Sequence, residues 1–536
     1  MFKRLCSNWL YIVLGPLGLT VPLISLLRFN DVAFLSSGAF FAFAVLILIG
    51  LIAGLVMALG GNLMQALMGS GIIVLLFSSE IDPSLLYPQG IQHRYVLLLA
   101  VLLISIILHL LREHRVQFLL VVFGTWWLVG AVSPKKDITQ VSEQSHHQPD
   151  ESLPPYIHII LDEHIGIEGI PPSFNKNNKL SLKLKKKYID QDFLVFGRSY
   201  SRFAKTALSF ASFLNFQSND NPELNMVRVE SGAGFRPTPP AKDSLGVRPN
   251  ALFQTLGNRG YIVNVFSPMV LPLLCDDRAT TRFGKCIIHG NGLKLFSHDK
   301  FKILHTFANQ LRLLTMYAKI ASAFGWPEVN VAGHTLFYQS VASSNEFIDF
   351  LGEGKRGNAY FIHLLVSHPV YVLDEKCSYK KNDLNFFQKE STDETYARYI
   401  KQIQCAHVVV NKIINKLNSN PETQDSTIII HGDHGPPIPS RVEAVDFFSS
   451  EEYFQLFSTF FAIRSPSLSP GYDKRPFALD ELLKVFSLKE PNLLELENKK
   501  EKFVYAQKHG TAADRSPGST RFTLPPFANG IKVQSW

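Results

Sequence analysis

Four short stretches of the chain carry side chains that together could break and re-form ester bonds. STIIIHGDHG (Ser426–Gly435) ends an apolar run in His431, Asp433 and His434, three residues placed to wall a cleft. YIHIIL runs directly into Asp162 and Glu163. SYSRFAKTALSF sets Thr206 immediately before a helical pattern, and YFIHLLVSHPVY carries His363 and His368. Carboxylates and imidazoles brought together form a mixed oxygen and nitrogen donor set. Such a set suits one or two divalent ions, with zinc first and manganese where oxygen ligands dominate. The expected ligands are Asp162, Glu163, Thr206, Asp433 and His434, with the choice of Asp162 or Glu163 as main ligand open. A threonine hydroxyl is a weak nucleophile. Contact with a divalent ion lowers its pKa, and the free N–H groups of a helix start stabilise an anionic ester. His368 would donate to phosphoryl oxygens or protonate a leaving alcohol. Each stretch alone also reads as ordinary structure: a polar turn, a loop start, an N-cap threonine. His363 falls on one face of its strand and reads as a satisfied core histidine.

Those residues need a scaffold, and the pattern around them supplies one. Tyr156–Leu161, the segment around Phe193–Ser201, Tyr261–Phe266, Ala359–Val366, STIIIH and Phe457–Pro466 read as strands. Asn250–Arg259 and Glu394–Leu417 read as helices between them. Strands alternating with helices imply an α/β fold with a mostly parallel sheet covered on both faces. In such sheets ligands bind at the carboxyl ends of the strands, which is where all four stretches end. The basic run Asn175–Tyr188 could be a helix whose lysines are solvated or lie on lipid headgroups.

The chain has 536 residues, 46% of them hydrophobic, and a formal net charge of +8. No nucleic-acid motif accompanies the positive charge, which instead suits acidic lipid headgroups. Apolar residues crowd the first 132 positions. Five spans are expected at Trp9–Leu27, Phe34–Leu59, Leu63–Phe77, Tyr95–Leu111 and Phe118–Val132, with four as the alternative; the third and fifth are short for a spanning helix. Lys3, Arg4, Arg112 and Arg115 then lie on the cytoplasmic side, and everything after Val132 lies outside it. The expected organisation is a transmembrane domain over 1–133, a polar linker over 134–155 that includes His146 and His147, and a catalytic domain over 156–536. Cys6 is then cytoplasmic. Cys275, Cys286, Cys377 and Cys405 fall in the exported part, where an even number suggests disulfides. Cys275–Cys286 with Cys377–Cys405 is the first choice among three pairings.

The order ILDE, YxxxAKTxxSFxSxLN, FIHLLVSHPVY, HGDHG resembles the alkaline phosphatase superfamily. Within it the pattern is similar to the sulfatase-like branch that includes membrane phosphoethanolamine and phosphoglycerol transferases. The likeness runs from about Tyr156 to Pro466 and implies an N-terminal transmembrane bundle followed by an alkaline-phosphatase-like α/β/α sandwich. It implies that Asp162 or Glu163, Thr206, Asp433 and His434 hold the metal, that Thr206 is the nucleophile and that His368 is a substrate-side histidine. It further implies a phospholipid donor, an envelope glycan or lipid acceptor, and a multi-pass protein of the bacterial inner membrane with its catalytic domain outside the cytoplasm. AKTALS stands where true sulfatases carry a C-x-P-x-R-type segment, which disfavours sulfate-ester hydrolysis. The PPIPSRVEAVDFF segment lacks a histidine that related transferases place there, and His289 or His509 would be the substitutes. Two alternatives stand beside the transferase: a sulfatase-like hydrolase acting on phosphodiesters or sulfate esters, and a catalytically silent envelope scaffold.

Overall fold

The computed structural model describes residues 8–29, 32–78, 93–132, 148–217, 226–228, 245–268, 273–275, 279–289, 354–369, 391–438, 450–488, 503–507 and 519–523, with scattered positions between them. Lys3, Arg4, Cys6, linker residues 134–147 with His146 and His147, and His509 lie outside the described residues, as does the side chain of His289. Cα packing divides the chain into two compact units.

The first unit is built from apolar helices: α1 (Leu10–Phe29), α2 (Ser37–Leu59), α3 (Asn62–Ser78), α4 (His93–Leu110) and α5 (Arg115–Val132). Two of these, at Leu10–Arg28 and Ser37–Leu59, are long and apolar enough to cross a membrane. α1 and α2 meet at glycines: a Cβ on Gly50 or Gly54 would strike the α1 backbone. Small residues allow that close approach, which is how helices associate without water to drive them together. The outward faces stay apolar, with Phe40, Leu48, Ile52, Leu98, Leu102 and Leu128 exposed. A broad exposed apolar surface is the mark of a membrane or partner interface rather than of a face in water.

The second unit holds a sheet of eight strands. These are β1 (Tyr156–Leu161), β2 (Leu194–Phe196), β3 (Ile262–Pro268), β4 (Phe283–His289), β5 (Asn358–Leu364), β6 (Thr427–Gly432), β7 (Phe461–Arg464) and β8 (Gly471–Asp473), in the order β8-β2-β7-β6-β1-β5-β3-β4. All pairings are parallel except those of β7, which runs antiparallel to both β6 and β2. β1 is buried along its whole length and feeds both cores. Ile157, Ile159 and Leu161 face one core with α6 (Lys179–Ile189) and α9 (Thr392–Asn418). Tyr156 and Ile160 face the other with α7 (Thr206–Phe213), α8 (Ala251–Asn258) and α11 (Leu479–Phe486). The period-2 alternation of a strand produces this division, and the result is the expected α/β layering. α10 (Ser450–Phe457) precedes β7. Disulfides join Cys275 to Cys286 and Cys377 to Cys405, the first-choice pairing.

Candidate active site at the strand exits

Register brings three of the four stretches abreast. Leu161, the last residue of β1, pairs with Leu364 of β5 on one side and Gly432 of β6 on the other. The next residues along each strand therefore leave the sheet at one edge. Asp162 still donates its backbone N–H to Leu364 O at 2.9 Å. Beyond it Glu163 adopts a left-handed backbone, φ 56°. Non-glycine residues in that region are uncommon and concentrate at functional sites. Tyr399 of α9 holds the turn from below: its hydroxyl donates to Glu163 O at 2.7 Å and accepts from Ile165 N–H at 2.9 Å.

Thr206 arrives from the fourth stretch. Lys205 occupies the N-cap position and Thr206 is the first residue of α7, so its hydroxyl is not spent on capping. Ser209, one turn on, donates to Asp433 O at 2.7 Å and ties the helix start to the β6 exit. The segment before it is pinned by Arg202, whose guanidinium pairs with Asp480 at 2.8 Å and Glu481 at 3.1 Å in a nearly closed setting. The outcome is that Thr206 Oγ1 lies 3.4 Å from Asp162 Oδ1 and 3.2 Å from His434 Nε2. Asp162, Asp433 and His434 offer ligand atoms within 4.8 Å of one another, and so do Asp162, Glu163 and His368. His368 Nε2 faces Glu163 Oε1 at 3.8 Å.

The donor set fits a divalent ion. His434 Nδ1 sits 2.7 Å from Gly435 O, so Nδ1–H donates there and the Nε2 lone pair is turned toward Asp433 Oδ2, 3.4 Å away. Asp433 Oδ1 accepts from the backbone N–H groups of Glu163 and His434, while Oδ2 is buried and accepts no hydrogen bond among the described residues. A buried carboxylate oxygen without a donor is costly unless a cation satisfies it. The charges agree. Burial opposes ionisation of Asp162, yet the hydrogen bond from His363 and the charges of His368, His363 and His434 outweigh it and hold its carboxyl below the usual range. Asp433 moves the other way, raised by burial and then by repulsion from Asp162. Two carboxylates this close ionise together only with positive charge between them.

The sheet does not bring His431 to this cluster. His431 pairs with Ile160, within the strand rather than past its end, so its ring stays in the layer beneath α7, against Phe213. Its Nδ1–H donates to Gly432 O, and its Nε2 lies 2.7 Å from His158 Nε2. HGDHG therefore sends Asp433 and His434 to the cluster, while His431, expected beside them, lies in the layer below. His363, read as a core histidine, is buried as expected but has a partner that its sequence context did not reveal: Nε2 donates to Asp162 Oδ2 at 2.9 Å. Ser367 adds a second tie, donating from Oγ to Asp162 O at 2.6 Å. A polar residue in an otherwise apolar strand, next to a strand ending in a carboxylate, was the available signal.

Comparison with known proteins identifies the family of the chain. Three solved structures resemble the chain at low identity. The C-terminal periplasmic domain of EcEptC from Escherichia coli, in complex with Zn, is 13% identical with TM-score 0.37, covering 65% of this chain and 84% of that one. Phosphonate monoester hydrolase SpPMH from Silicibacter pomeroyi is 17% identical with TM-score 0.40, covering 66% and 79%. BT1596, a 2-O GAG sulfatase, is 12% identical with TM-score 0.38, covering 66% and 78%. No curated protein matches the chain in sequence. The sulfatase family model, however, matches residues 172–481, more than half of the 536. The chain belongs to the sulfatase family.

Proposed function

We propose that this protein is a membrane-anchored, metal-dependent phospho-transferase. It moves a lipid headgroup, phosphoethanolamine or phosphoglycerol, through a covalent intermediate on Thr206 to an acceptor in the cell envelope. The single observation that supports this reading most is the position of the Thr206 hydroxyl at a helix start, within 3.4 Å of both Asp162 and His434. Residues 1–133 would be the transmembrane domain, 134–155 the linker and 156–536 the catalytic domain at the outer face of a bacterial inner membrane.

Asp162, Asp433 and His434 would hold the ion, with Glu163 beside them, and zinc suits this oxygen and nitrogen set, with manganese the alternative. The ion, when bound, supplies charge neutralisation and a lowered pKa for the neighbouring hydroxyl. Thr206 Oγ1, its proton released to solvent as its pKa falls, forms the new bond to phosphorus as the bond to the lipid alcohol breaks. The N–H groups at the start of α7 orient the phosphoryl oxygens. His368 keeps Nδ1–H on Pro369 O, 2.6 Å away, which leaves Nε2 to hand a proton to the departing alcohol. The acceptor hydroxyl, passing its proton to the now neutral His368 Nε2, then displaces Thr206 from phosphorus and frees it for another cycle.

A sulfate-ester hydrolase is the second reading, favoured by the family to which residues 172–481 belong. Substrates separate the two. Wild-type protein should act on a lipid donor and on a nitrophenyl phosphodiester, and Thr206→Ala should reduce both to background without lowering the melting temperature. Retained turnover in that variant, or faster release of sulfate than of phosphate esters, would overturn the proposal.

A further inference from the structure

We propose that the outward face of α6 is a docking surface for an anionic phospholipid bilayer, an inference that rests on the membrane-anchored part of the function above. Lys179, Leu182, Lys183 and Lys186 are all exposed, and apart from the adjacent Leu182 and Lys183 they lie three, four or seven residues from one another, so they share one face. Lys176, in the turn before the helix, is exposed as well. The opposite side, Ser181, Leu184 and Tyr188, is buried. The stripe is poorly compensated. Lys186 pairs with Asp190 at the helix end, at 2.9 Å, but Lys179 and Lys183 form no ion pair among the described residues. The neighbouring lysines are already placed: Lys185 lies over the Tyr472 ring at 4.3 Å, and Lys187 donates to His407 O at 2.8 Å. Burial and then the charge of Lys183 lower Lys187 to about 8. Positive charge thus crowds one helix face at a cost that an anionic partner would relieve.

Leu182 points to which anion. It is 38% exposed between Lys179 and Lys183 and also lines a crevice with Ile167, Ile170 and Pro172. An apolar side chain within a basic stripe suits the headgroup boundary of a bilayer better than it suits a soluble polyanion. Helices long and apolar enough to cross a membrane belong to the same chain, so a bilayer would be present at high effective concentration.

The test uses the full chain in nanodiscs of phosphatidylcholine, with or without about one-third phosphatidylglycerol. Brief lysine acylation is read peptide by peptide by mass spectrometry. Lys179, Lys183 and Lys186 should label about fivefold more slowly on the anionic discs, and the contrast should shrink at high salt. Lys484, exposed on α11 across the sheet, should label equally on both. Equal labelling of the stripe on both discs overturns the proposal. So does protection by dextran sulfate on neutral discs with none from the anionic bilayer, which would assign the face to a soluble polyanion. Changing Lys179, Lys183 and Lys186 together to Gln should lower transfer from anionic discs about tenfold while leaving turnover of a soluble nitrophenyl phosphodiester unchanged; unchanged transfer counts against the docking face. Labelling needs no turnover, so an inactive protein with a protected stripe would sink the transferase reading alone.

Discussion

Asp162 is the most heavily constrained residue of the cluster. Its two oxygens are divided between His363 on one side and Thr206 on the other, at 2.9 and 3.4 Å. The division matters because a carboxylate fixed by a histidine N–H presents its second oxygen in one orientation, as outer partners do for metal ligands generally. His363 is therefore a positioning residue. His363→Leu should weaken zinc retention by about 10–100-fold, measured by competition with a chelating dye, whereas His363→Gln, which keeps an N–H donor, should recover most of it. Equal loss in both variants would reduce His363 to packing. At this scale Asp162, Asp433 and His434 were legible because they follow apolar runs that stop abruptly, and Thr206 because it stands just before a helical pattern. His363 was legible only as a buried histidine, since a strand pattern reports which face a residue takes and not what lies across the neighbouring strand. His431 was misplaced for a related reason: a strand ending in STIIIH does not show whether its last side chain leaves at the edge or turns into the layer below.

Elements set the geometry more than loops do. Three parallel strands end level, and the segment bearing Thr206 is locked to them by Ser209 and by the Arg202 pair with Asp480 and Glu481. Removing one partner from a buried ion pair leaves the other uncompensated. Arg202→Ala should therefore destabilise the protein by about 3–5 kcal/mol, visible as a loss of melting temperature, and should lower activity through the displaced α7. A fully stable variant would mean that the pair does not hold this segment. Long apolar strands and the helix Thr392–Asn418 were readable from periodicity. β4 and β8 were not: β8 is three residues long, and FGKCIIH carries neither clean alternation nor a continuous apolar run. Helix α7 was legible from its small and apolar faces, but its register, with Lys205 rather than Thr206 as N-cap, depends on the chain path before it.

The chain divides into an apolar helical unit and an α/β unit that holds the candidate site. Its acid response follows from histidines far inside the second unit. Burial and then His431 hold His158 well below the usual 6.5, and burial, His164 and the lysines of α6 do the same for His407. Both stay neutral when folded, whereas the unfolded chain takes up protons below about pH 6.5. Their contribution is thus fully present above that pH and lost as the pH falls, by up to about 1.4 kcal/mol per unit for each. The melting temperature should drop between pH 7.5 and 5, and His407→Gln should flatten the drop; a melting temperature that rises toward pH 5 would refute this source of acid sensitivity. Covalent attack by Thr206 is open to peptide mass spectrometry of the protein isolated from its own membranes. One phosphorylated headgroup is expected on Thr206, lost on incubation with an acceptor. Continued transfer with an unmodified Thr206, or an adduct carried by another residue, would contradict it.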